Sequence, residues 1–223
     1  MRLTVRAMFG RIAPRYDLVN RWLSLGLDQG WRRRAVAALA LSPGDPVVDL
    51  CCGTGDLTHA LWLGVRPARV VGVDFAEPML ERARGKFPGL EFVHGDALAA
   101  PLDPGSFAAA TVAFGLRNVE DLGALWREMM RLVRPGGRIL SLELTRPPGF
   151  LGVLHGFYLR VVVPLVGGLL SGDPAAYGYL ARTVSRFASV EEVCRSMQAA
   201  GLLEVRAIPL SGGIATLHVG VRP

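Results

Sequence analysis

Short β-branched runs alternate with amphipathic helical runs between residues 47 and 144, and this alternation constrains the fold more than any other feature. Alternation of this kind predicts βαβ units and a mostly parallel sheet that helices cover on both faces. Near the C-terminus, the turn Ser211-Gly212-Gly213 is too short for a crossover helix, so the two strands that it joins pair antiparallel. The sequence therefore predicts an α/β fold with a mostly parallel seven-stranded sheet and an antiparallel C-terminal hairpin. The predicted strands cover residues 47–51, 69–74, 90–93, 108–114, 138–144, 203–209 and 215–221.

The composition is that of a folded protein from a reducing compartment. With 223 residues, of which 51% are hydrophobic and 20% charged, the chain has enough apolar residues for one core. Two of its three cysteines, Cys51 and Cys52, are adjacent, which excludes a disulfide scaffold and the spaced ligands of a zinc site, so we predict no metal. The net charge of +6 comes from twenty-four arginines and one lysine, Lys86, and we interpret it as genome composition rather than nucleic-acid binding.

A glycine-rich turn follows the first predicted strand, where Gly53 and Gly55 flank Thr54. Glycine lets the backbone bend sharply and approach a ligand, and ligands of open α/β sheets bind at the carboxyl ends of the strands. Alone, such a turn is weak evidence, because any tight turn has this composition. Acidic residues at the ends of the next two strands, Asp74 and Asp96, extend the pattern to one that suits a nucleotide-like cofactor.

Two cofactors of this kind compete for the site. A nicotinamide dinucleotide needs a third glycine beside its pyrophosphate, and Thr58 stands at that position. S-adenosyl-L-methionine has no pyrophosphate and makes no such demand. Over residues 47–144 the series resembles the class I S-adenosylmethionine-dependent methyltransferases, which implies a Rossmann-like fold and this cofactor. The resemblance assigns cofactor binding to Asp49, Gly53 and Gly55 near the methionine part, Asp74 at the ribose hydroxyls, and Asp96 and Ala97 at the adenine.

Four further motifs do not belong to the cofactor pattern: MFGRIAPRYD at 8–17 with its continuation to 33, FGLRNV at 114–119, YGYL at 177–180 with Phe187, and GIATLHVG at 213–220. Together they are similar to the ubiquinone/menaquinone biosynthesis C-methyltransferase family, whose members methylate a ring carbon of a polyprenylated quinol. The resemblance implies demethylmenaquinol as the substrate, with a benzoquinol precursor of ubiquinone, or both rings, as the alternative. It also implies that Thr58 contacts the cofactor. The chain departs mildly from the family's usual residues at Ala76, Ala113, Thr183 and Ala188.

The reaction needs a nucleophilic ring carbon, which a quinol provides once a phenolic proton leaves. A phenol with a pKa of about 10 needs help at neutral pH. Arg117 does not deprotonate, so we assign it to stabilising the phenolate, with Asn118 orienting a ring oxygen. A salt bridge for Arg117 and a helix cap for Asn118 are the alternatives. The proton acceptor stays open between His218, whose ordinary pKa suits the role, and a bound water. Tyr16 is a further catalytic candidate, in a predicted N-terminal helical lid over the site.

The most apolar stretch covers residues 149–170, and His155, Arg160 and Pro164 interrupt it. A spanning helix needs about 20 apolar residues, so we predict no membrane span. Four interpretations stay open: an insertion that covers the substrate, an interfacial helix pair on an anionic membrane, a buried helix, or a homodimer contact. Because the first residues lack a signal-peptide pattern, we expect a cytoplasmic protein with peripheral contact to the inner face of the membrane.

We predict a single methyltransferase domain over residues 1–223. It consists of a helical N-terminal cap (1–41), a cofactor-binding core (42–145), an apolar substrate-covering insertion (146–188), and a C-terminal helix and hairpin (189–223). A nucleic-acid methyltransferase, or one for another small molecule, is the distant alternative. The nucleic-acid reading is disfavoured because the chain has no Asn-Pro-Pro-aromatic run and almost no lysine. A non-catalytic scaffold is disfavoured because the glycines and acidic residues of the cofactor pattern are all present.

Overall fold

The computed structural model describes residues 2–223, apart from the side chains of residues 2–9, 12, 14, 171 and 174, so part of the 8–17 motif falls outside the described side chains. Seven strands form one sheet: β1 (Val47–Leu50), β2 (Val70–Asp74), β3 (Glu91–His94), β4 (Phe107–Ala113), β5 (Val133–Leu144), β6 (Leu203–Leu210) and β7 (Ala215–Val221). Their order is β3-β2-β1-β4-β5-β7-β6. Strands β1 to β5 are parallel, and β7 runs antiparallel to both β5 and β6. The predicted fold class is therefore confirmed.

Helices cover both faces of the sheet and the edge where the parallel strands end. They are α1 (Arg2–Leu23), α2 (Leu27–Ala38), α3 (Asp56–Val65), α4 (Glu77–Lys86), α5 (Leu122–Leu132), α6 (Gly149–Phe157), α7 (Val163–Ser171), α8 (Pro174–Arg186) and α9 (Val190–Ala199). On one face, Trp126 of α5 and Met197 of α9 are fully buried in the core. On the opposite face, Leu39 and Leu61 belong to a second buried cluster with α2 and α3. Apolar strand residues on both faces explain why the buried strands are nearly continuous hydrophobic runs.

The N-terminal helical region is two helices rather than one. Leu25 and Gly26 adopt left-handed backbone with φ of 53° and 75°, which ends α1 and lets α2 start in a new direction. The strand β5 begins at Val133, earlier than predicted, because Val133 pairs with Phe107 across an irregularity in the register. Local pattern alone does not reveal such a bulge.

The apolar stretch forms one continuous helix in which α6 leads through a π-helical turn (Tyr158–Val162) into α7. His155, Arg160 and Pro164 interrupt the apolar composition of the stretch but do not break the helix. The π-helical turn lies directly before Pro164, where proline removes a helix hydrogen bond. By length and composition, Gly149–Leu170 is the one helix in the described part of the chain that could cross a membrane. The polar residues within it therefore do not exclude a membrane span.

A third buried cluster holds the helical cap together. Val19 of α1 packs with Leu159, Val163 and Val184 from the helices that follow β5. Arg11 pairs with Asp173 at 3.0 Å, and the cap therefore joins the start of the chain to its insertion after β5. This arrangement encloses a space above the carboxyl edge of the sheet.

Candidate active site

The turn after β1 passes through left-handed backbone at Cys51, Gly53 and Gly55, with φ of 54°, 56° and 83°. A Cβ on Gly55 would lie 2.7 Å from Cζ of Phe92, so both conformation and space require glycine there. A Cβ on Gly53 would meet no atom within 4 Å, so its backbone borders open space. The turn therefore presents bare backbone at the carboxyl edge of the sheet, where a ligand can approach closely.

Asp49 is a buried carboxylate at the end of β1, with 1% of its surface exposed. Its two oxygens accept hydrogen bonds from the hydroxyls of Thr58 and Thr111, both at 2.8 Å. Thr111 is the register partner of Asp49 on β4, which is why the two side chains meet. Burial raises the pKa of Asp49 to about 6, although the two hydroxyls act in the opposite direction. This predicted cofactor residue is thus a buried acid that a cation would stabilise in its charged form.

Asp74, at the end of β2, holds the glycine turn in place. Its carboxylate accepts hydrogen bonds from the backbone N–H groups of Gly53 and Ala76, each at 2.9 Å. Burial raises its pKa, and its negative charge in turn raises the pKa of Asp49. The backbone of Phe75 is a third hydrogen-bond donor to this carboxylate, which leaves one of its four lone pairs for a hydroxyl donor.

Asp96 and Ala97 follow β3 at the same edge. The Asp96 side chain is exposed and accepts a hydrogen bond from the N–H of Leu98 at 3.0 Å. The Ala97 side chain is buried in the core beneath the edge. A ligand at this position would meet the Asp96 carboxylate and the backbone of Ala97.

The contacts that join α1 to the glycine turn involve residues outside the predicted site. Asp17 accepts hydrogen bonds from Thr54 of the turn, from Arg82 at 3.2 Å and from Lys86 at 2.8 Å. Lys86 also reaches Asp56, at the start of α3, at 2.6 Å. Lys86 is the one lysine in a chain with twenty-four arginines, and this exception in the composition is the sequence feature that could have indicated a specific role for it. The compact ammonium group satisfies two carboxylates from different helices.

A cavity of about 550 Å³ lies between the cap and the carboxyl edge. Its walls are mostly leucine, valine and aromatic side chains from α1, α2, the long apolar helix and α8. Tyr16, Arg117 and Asn118 line it, so the structure brings three of the four predicted catalytic residues together. Arg32 lines the cavity and also lies 3.7 Å from Asp56, which connects the cavity to the start of α3 beside the glycine turn.

Arg117 forms a buried ion pair with Glu143, with 7% and 0% of the two side chains exposed. Glu143 also accepts hydrogen bonds from the backbone N–H groups of Leu144, at 2.9 Å, and Arg117. The salt bridge weighed as an alternative for Arg117 is therefore present, and it holds the guanidinium at the cavity wall. The sequence analysis missed Glu143, although an acidic residue in the apolar run RILSLEL was a usable signal.

Asn118 and Tyr16 each occupy a defined place in the cavity wall. The carbonyl oxygen of Asn118 accepts a hydrogen bond from the hydroxyl of Tyr179 at 3.1 Å, which points its amide N–H₂ elsewhere. Burial raises the pKa of Tyr16, against the nearby positive charges of Arg117 and Arg32. Tyr16 therefore stays a hydroxyl donor at neutral pH and is a poor proton acceptor.

His218 does not belong to this site. It is buried in β7, where its Nδ1 lies 3.2 Å from the hydroxyl of its register partner Ser141, and burial lowers its pKa to about 4. His59 stacks on Phe87, and His94 bonds the carbonyl of Phe75. The remaining histidine, His155, lines the cavity. The assignment of His218 is therefore corrected, and His155 is the imidazole that the tertiary structure brings to the cavity.

Known proteins resemble this chain over its full length. The family model of the ubiE/COQ5 methyltransferase family matches residues 2–222. A demethylmenaquinone methyltransferase of Thermus thermophilus is 46% identical, covering 97% of this chain and all of the relative. The enzyme of that name from Deinococcus radiodurans is 43% identical and covers 97% and 91%, and the one from Desulfitobacterium hafniense is 38% identical and covers 98% and 90%.

Solved structures agree with the fold at lower sequence identity. A SAM-dependent methyltransferase of Thermotoga maritima, described as a possible histamine N-methyltransferase, has a TM-score of 0.68 at 22% identity, covering 97% of this chain and 99% of its own. A putative S-adenosyl-L-methionine-dependent methyltransferase of Methanococcus maripaludis has a TM-score of 0.67 at 15% identity, covering 94% and 91%. At these identities the likeness concerns the fold, whereas the family model and the bacterial relatives cover nearly every residue. The chain belongs to the ubiE/COQ5 methyltransferase family.

Proposed function

We propose that this protein transfers the methyl group of S-adenosyl-L-methionine to a ring carbon of demethylmenaquinol, which forms menaquinol. The observation that carries the proposal is the apolar cavity, whose polar residues Arg117 and Asn118 follow Gly115, which packs against Cys51 of the glycine turn. An apolar ring with oxygen substituents and a long tail suits such walls, because hydrophobic sites use a few polar groups to fix orientation. The curated relatives named above carry this activity in their names.

The glycine turn and its two buried carboxylates fit this cofactor. When bound, S-adenosyl-L-methionine supplies a methyl group activated by a positively charged sulfonium. Asp49 and Asp74 are buried acids with raised pKa values, so a nearby positive charge favours their ionised forms. In this proposal, Gly53, Gly55 and Thr58 surround the methionine part with Asp49, Asp74 binds the ribose hydroxyls, and Asp96 and Ala97 flank the adenine.

Arg117 and Asn118 bind the ring oxygen next to the carbon that is methylated. The guanidinium favours the phenolate over the phenol, because its charge lies in a buried site where the interaction is strong. Glu143 positions Arg117, and the Asn118 amide donates a hydrogen bond to the same oxygen. Tyr16 lies close enough to Arg117 to interact with it electrostatically and donates its hydroxyl to the ring.

His155 accepts the phenolic proton, and the hydrogen that the methyl group displaces from the ring carbon returns to the same oxygen, so one proton is released in all. Among the groups that line the cavity, the arginines have no lone pair to offer, and the tyrosines are protonated at neutral pH. Asp28 already accepts hydrogen bonds from Ser24 and Arg32. Burial lowers the pKa of His155, so its imidazole is neutral near pH 7 and can take a proton.

The helical cap contacts an anionic membrane, and the protein is otherwise cytoplasmic. Residues 1–41 and 146–188 hold twelve arginines and three aspartates, whereas the rest of the chain has thirteen basic and sixteen acidic residues. Phe150 and Leu169 are more than four-fifths exposed on the apolar helix, beside the cavity that holds the ring. Arginine with exposed apolar side chains is the composition of an interfacial segment. In this proposal residues 1–223 form one domain, with the cap at 1–41, the cofactor core at 42–145, the insertion at 146–188 and the C-terminal helix and hairpin at 189–223.

Vesicle binding tests the membrane contact. Phe150→Ser with Leu169→Ser should reduce sedimentation with phosphatidylglycerol vesicles, while Trp62→Ser, an exposed apolar residue of α3, should not. If the double variant instead converts a dimer to a monomer with vesicle binding unchanged, a homodimer contact replaces the membrane in this proposal.

The decisive experiment offers two acceptors under anaerobic reducing conditions. Labelled S-adenosyl-L-methionine is supplied with short-tailed demethylmenaquinol or with a demethylated benzoquinol. Transfer to the naphthoquinol alone supports the proposed function, and transfer to both rings broadens it to the ubiquinone precursor. Transfer to neither, with the cofactor bound, would overturn it. Asp74→Asn serves as a control that should lose cofactor affinity.

A further inference from the structure

The hydroxyl of Tyr177 has no hydrogen-bond partner among the described residues, although Tyr177 is only 2% exposed. A buried hydroxyl without a partner is unfavourable, and native proteins satisfy most of them. Tyr177 lines the cavity, so this unpaired hydroxyl belongs to a residue that the ring of the substrate would meet. The missing partner of this hydroxyl is therefore expected in the ligand.

The ring of Tyr177 is held firmly by its surroundings. A Cβ on Gly167 of α7 would lie 2.4 Å from Cγ of Tyr177, so glycine at 167 is what lets the aromatic ring pack against the helix. Ala176 and Val163 belong to the same buried cluster. A hydroxyl on a clamped ring is a directional donor that loses little entropy when it binds.

Burial raises the pKa of Tyr177, and the neighbouring Tyr16 and Asp173 act in the same direction. The group therefore stays protonated throughout the neutral range and offers a donor, never a base. The other titratable or charged groups that line the cavity are Tyr16 from α1, Asp28 and Arg32 from α2, Arg117 after β4, His155 and Tyr158 from the long apolar helix, and Tyr179 from α8.

The hydroxyl of the neighbouring Tyr179, unlike that of Tyr177, has a hydrogen-bond partner within the described part of the chain. The Tyr179 hydroxyl bonds Asn118, so it belongs to the wall that binds the reacting oxygen. Residues two apart on a helix point about 200° away from each other, so Tyr177 meets the cavity at a different place. A quinol has two ring oxygens on opposite sides, and Arg117 with Asn118 accounts for one of them.

We propose that the Tyr177 hydroxyl donates a hydrogen bond to the second ring oxygen of the quinol, which makes Tyr177 a positioning and specificity-determining residue. This inference rests on the proposed function and adds the group that selects for a para-dioxygenated ring. It predicts that a ring with one oxygen loses this contact.

The test compares Tyr177→Phe with the wild-type protein by thermal unfolding and by calorimetry under reducing conditions, with 1,4-dihydroxynaphthalene and 1-naphthol as probes. In the absence of ligand, the variant should be as stable as wild type or up to about 2–4 °C higher in Tm, because a buried unpaired hydroxyl is removed. Its affinity for 1,4-dihydroxynaphthalene should fall roughly 3- to 10-fold, and its affinity for 1-naphthol should not change. The KM of Tyr177→Phe for demethylmenaquinol should rise by a similar factor.

Tyr158→Phe is the matched control. Tyr158 also lines the cavity, but its hydroxyl donates to the carbonyl of Leu23 at 2.7 Å, so the control should lower Tm. If Tyr177→Phe lowers Tm as the control does, or weakens both probes equally, the inference is overturned. Failure of the wild-type protein to methylate demethylmenaquinol would instead overturn the proposed function. The Tm comparison would still show whether the Tyr177 hydroxyl is unpaired in the ligand-free protein.

Discussion

Replacing Asp49 by asparagine should stabilise the ligand-free protein while abolishing cofactor binding. The carboxylate is 1% exposed, and its pKa of about 6 stands above the ordinary value of 3.8. Because the folded pKa is the higher one, the folded protein binds more protons between these two values, and stability falls as pH rises through this window. A difference of about two pKa units corresponds to about 3 kcal/mol at pH 8.

Asparagine keeps the shape of the neutral acid, and its amide can still bond Thr58 and Thr111. The variant should therefore gain up to about 3 kcal/mol over wild type at pH 8, and the gain should shrink towards zero near pH 4. Urea unfolding at pH 4.5, 6 and 8 measures this difference. Asp96→Asn, an exposed acid at the same edge, should change stability by less than about 0.5 kcal/mol at every pH.

Added S-adenosyl-L-methionine should reverse the order of stability. A ligand at one thousand times its Kd stabilises the folded protein by about 4.1 kcal/mol, which exceeds the variant's gain of about 3 kcal/mol, and the variant should lack this increment because the buried negative charge is gone. Calorimetry measures the affinity directly. An Asp49→Asn protein that is less stable than wild type at pH 8, or whose stability difference does not depend on pH, would show that burial does not raise the pKa of Asp49 in this way.

Three further predictions concern the groups around the cavity. Glu143→Gln should lower the free energy of unfolding by about 3–5 kcal/mol, because it leaves the Arg117 guanidinium buried without its partner; urea unfolding would contradict this with a loss below 1 kcal/mol. Arg117→Met should reduce kcat by roughly 100-fold or more with cofactor affinity intact by calorimetry, and wild-type turnover would exclude it from the reaction. His155→Gln should remove the acid limb of the pH–rate profile, in which activity falls as pH drops below the pKa of His155, itself under the ordinary 6.5. His94→Gln, outside the cavity, should keep that limb, and an unchanged profile in His155→Gln would assign the proton to another acceptor.

The cofactor half of the site was accessible from the sequence because its pattern is local. Each residue of that pattern lies at or just after the end of a predicted strand, and parallel strands end at the same edge of a sheet. Asp49, Gly53 and Asp74 lie together for this reason, even though Asp74 turns out to bond the turn itself. The partner Thr111 needed the register of β1 against β4, which no local pattern contains.

The substrate half depended on contacts between distant segments. His155 lies in an apolar helix and His218 in a strand, and nothing local to either residue shows which of them reaches the cavity. The choice between them follows from burial and packing, which place His218 opposite Ser141 and His155 at the cavity wall. Glu143 and Lys86 were visible as unusual residues, but their partners lie on other elements.

The α/β class, the antiparallel hairpin, the glycine turn with its acidic series, and the family resemblance could all be predicted from the order of the residues alone. These features depend on hydrophobic periodicity and on local backbone conformation, both of which are set by residues close together in the sequence. Three features follow from packing alone: the apolar stretch is one helix, Glu143 holds Arg117, and the hydroxyl of the cavity residue Tyr177 has no partner among the described residues. Such features depend on which side chains from distant segments share a buried space, and burial sets both the energy of an unpaired polar group and the pKa of an acid.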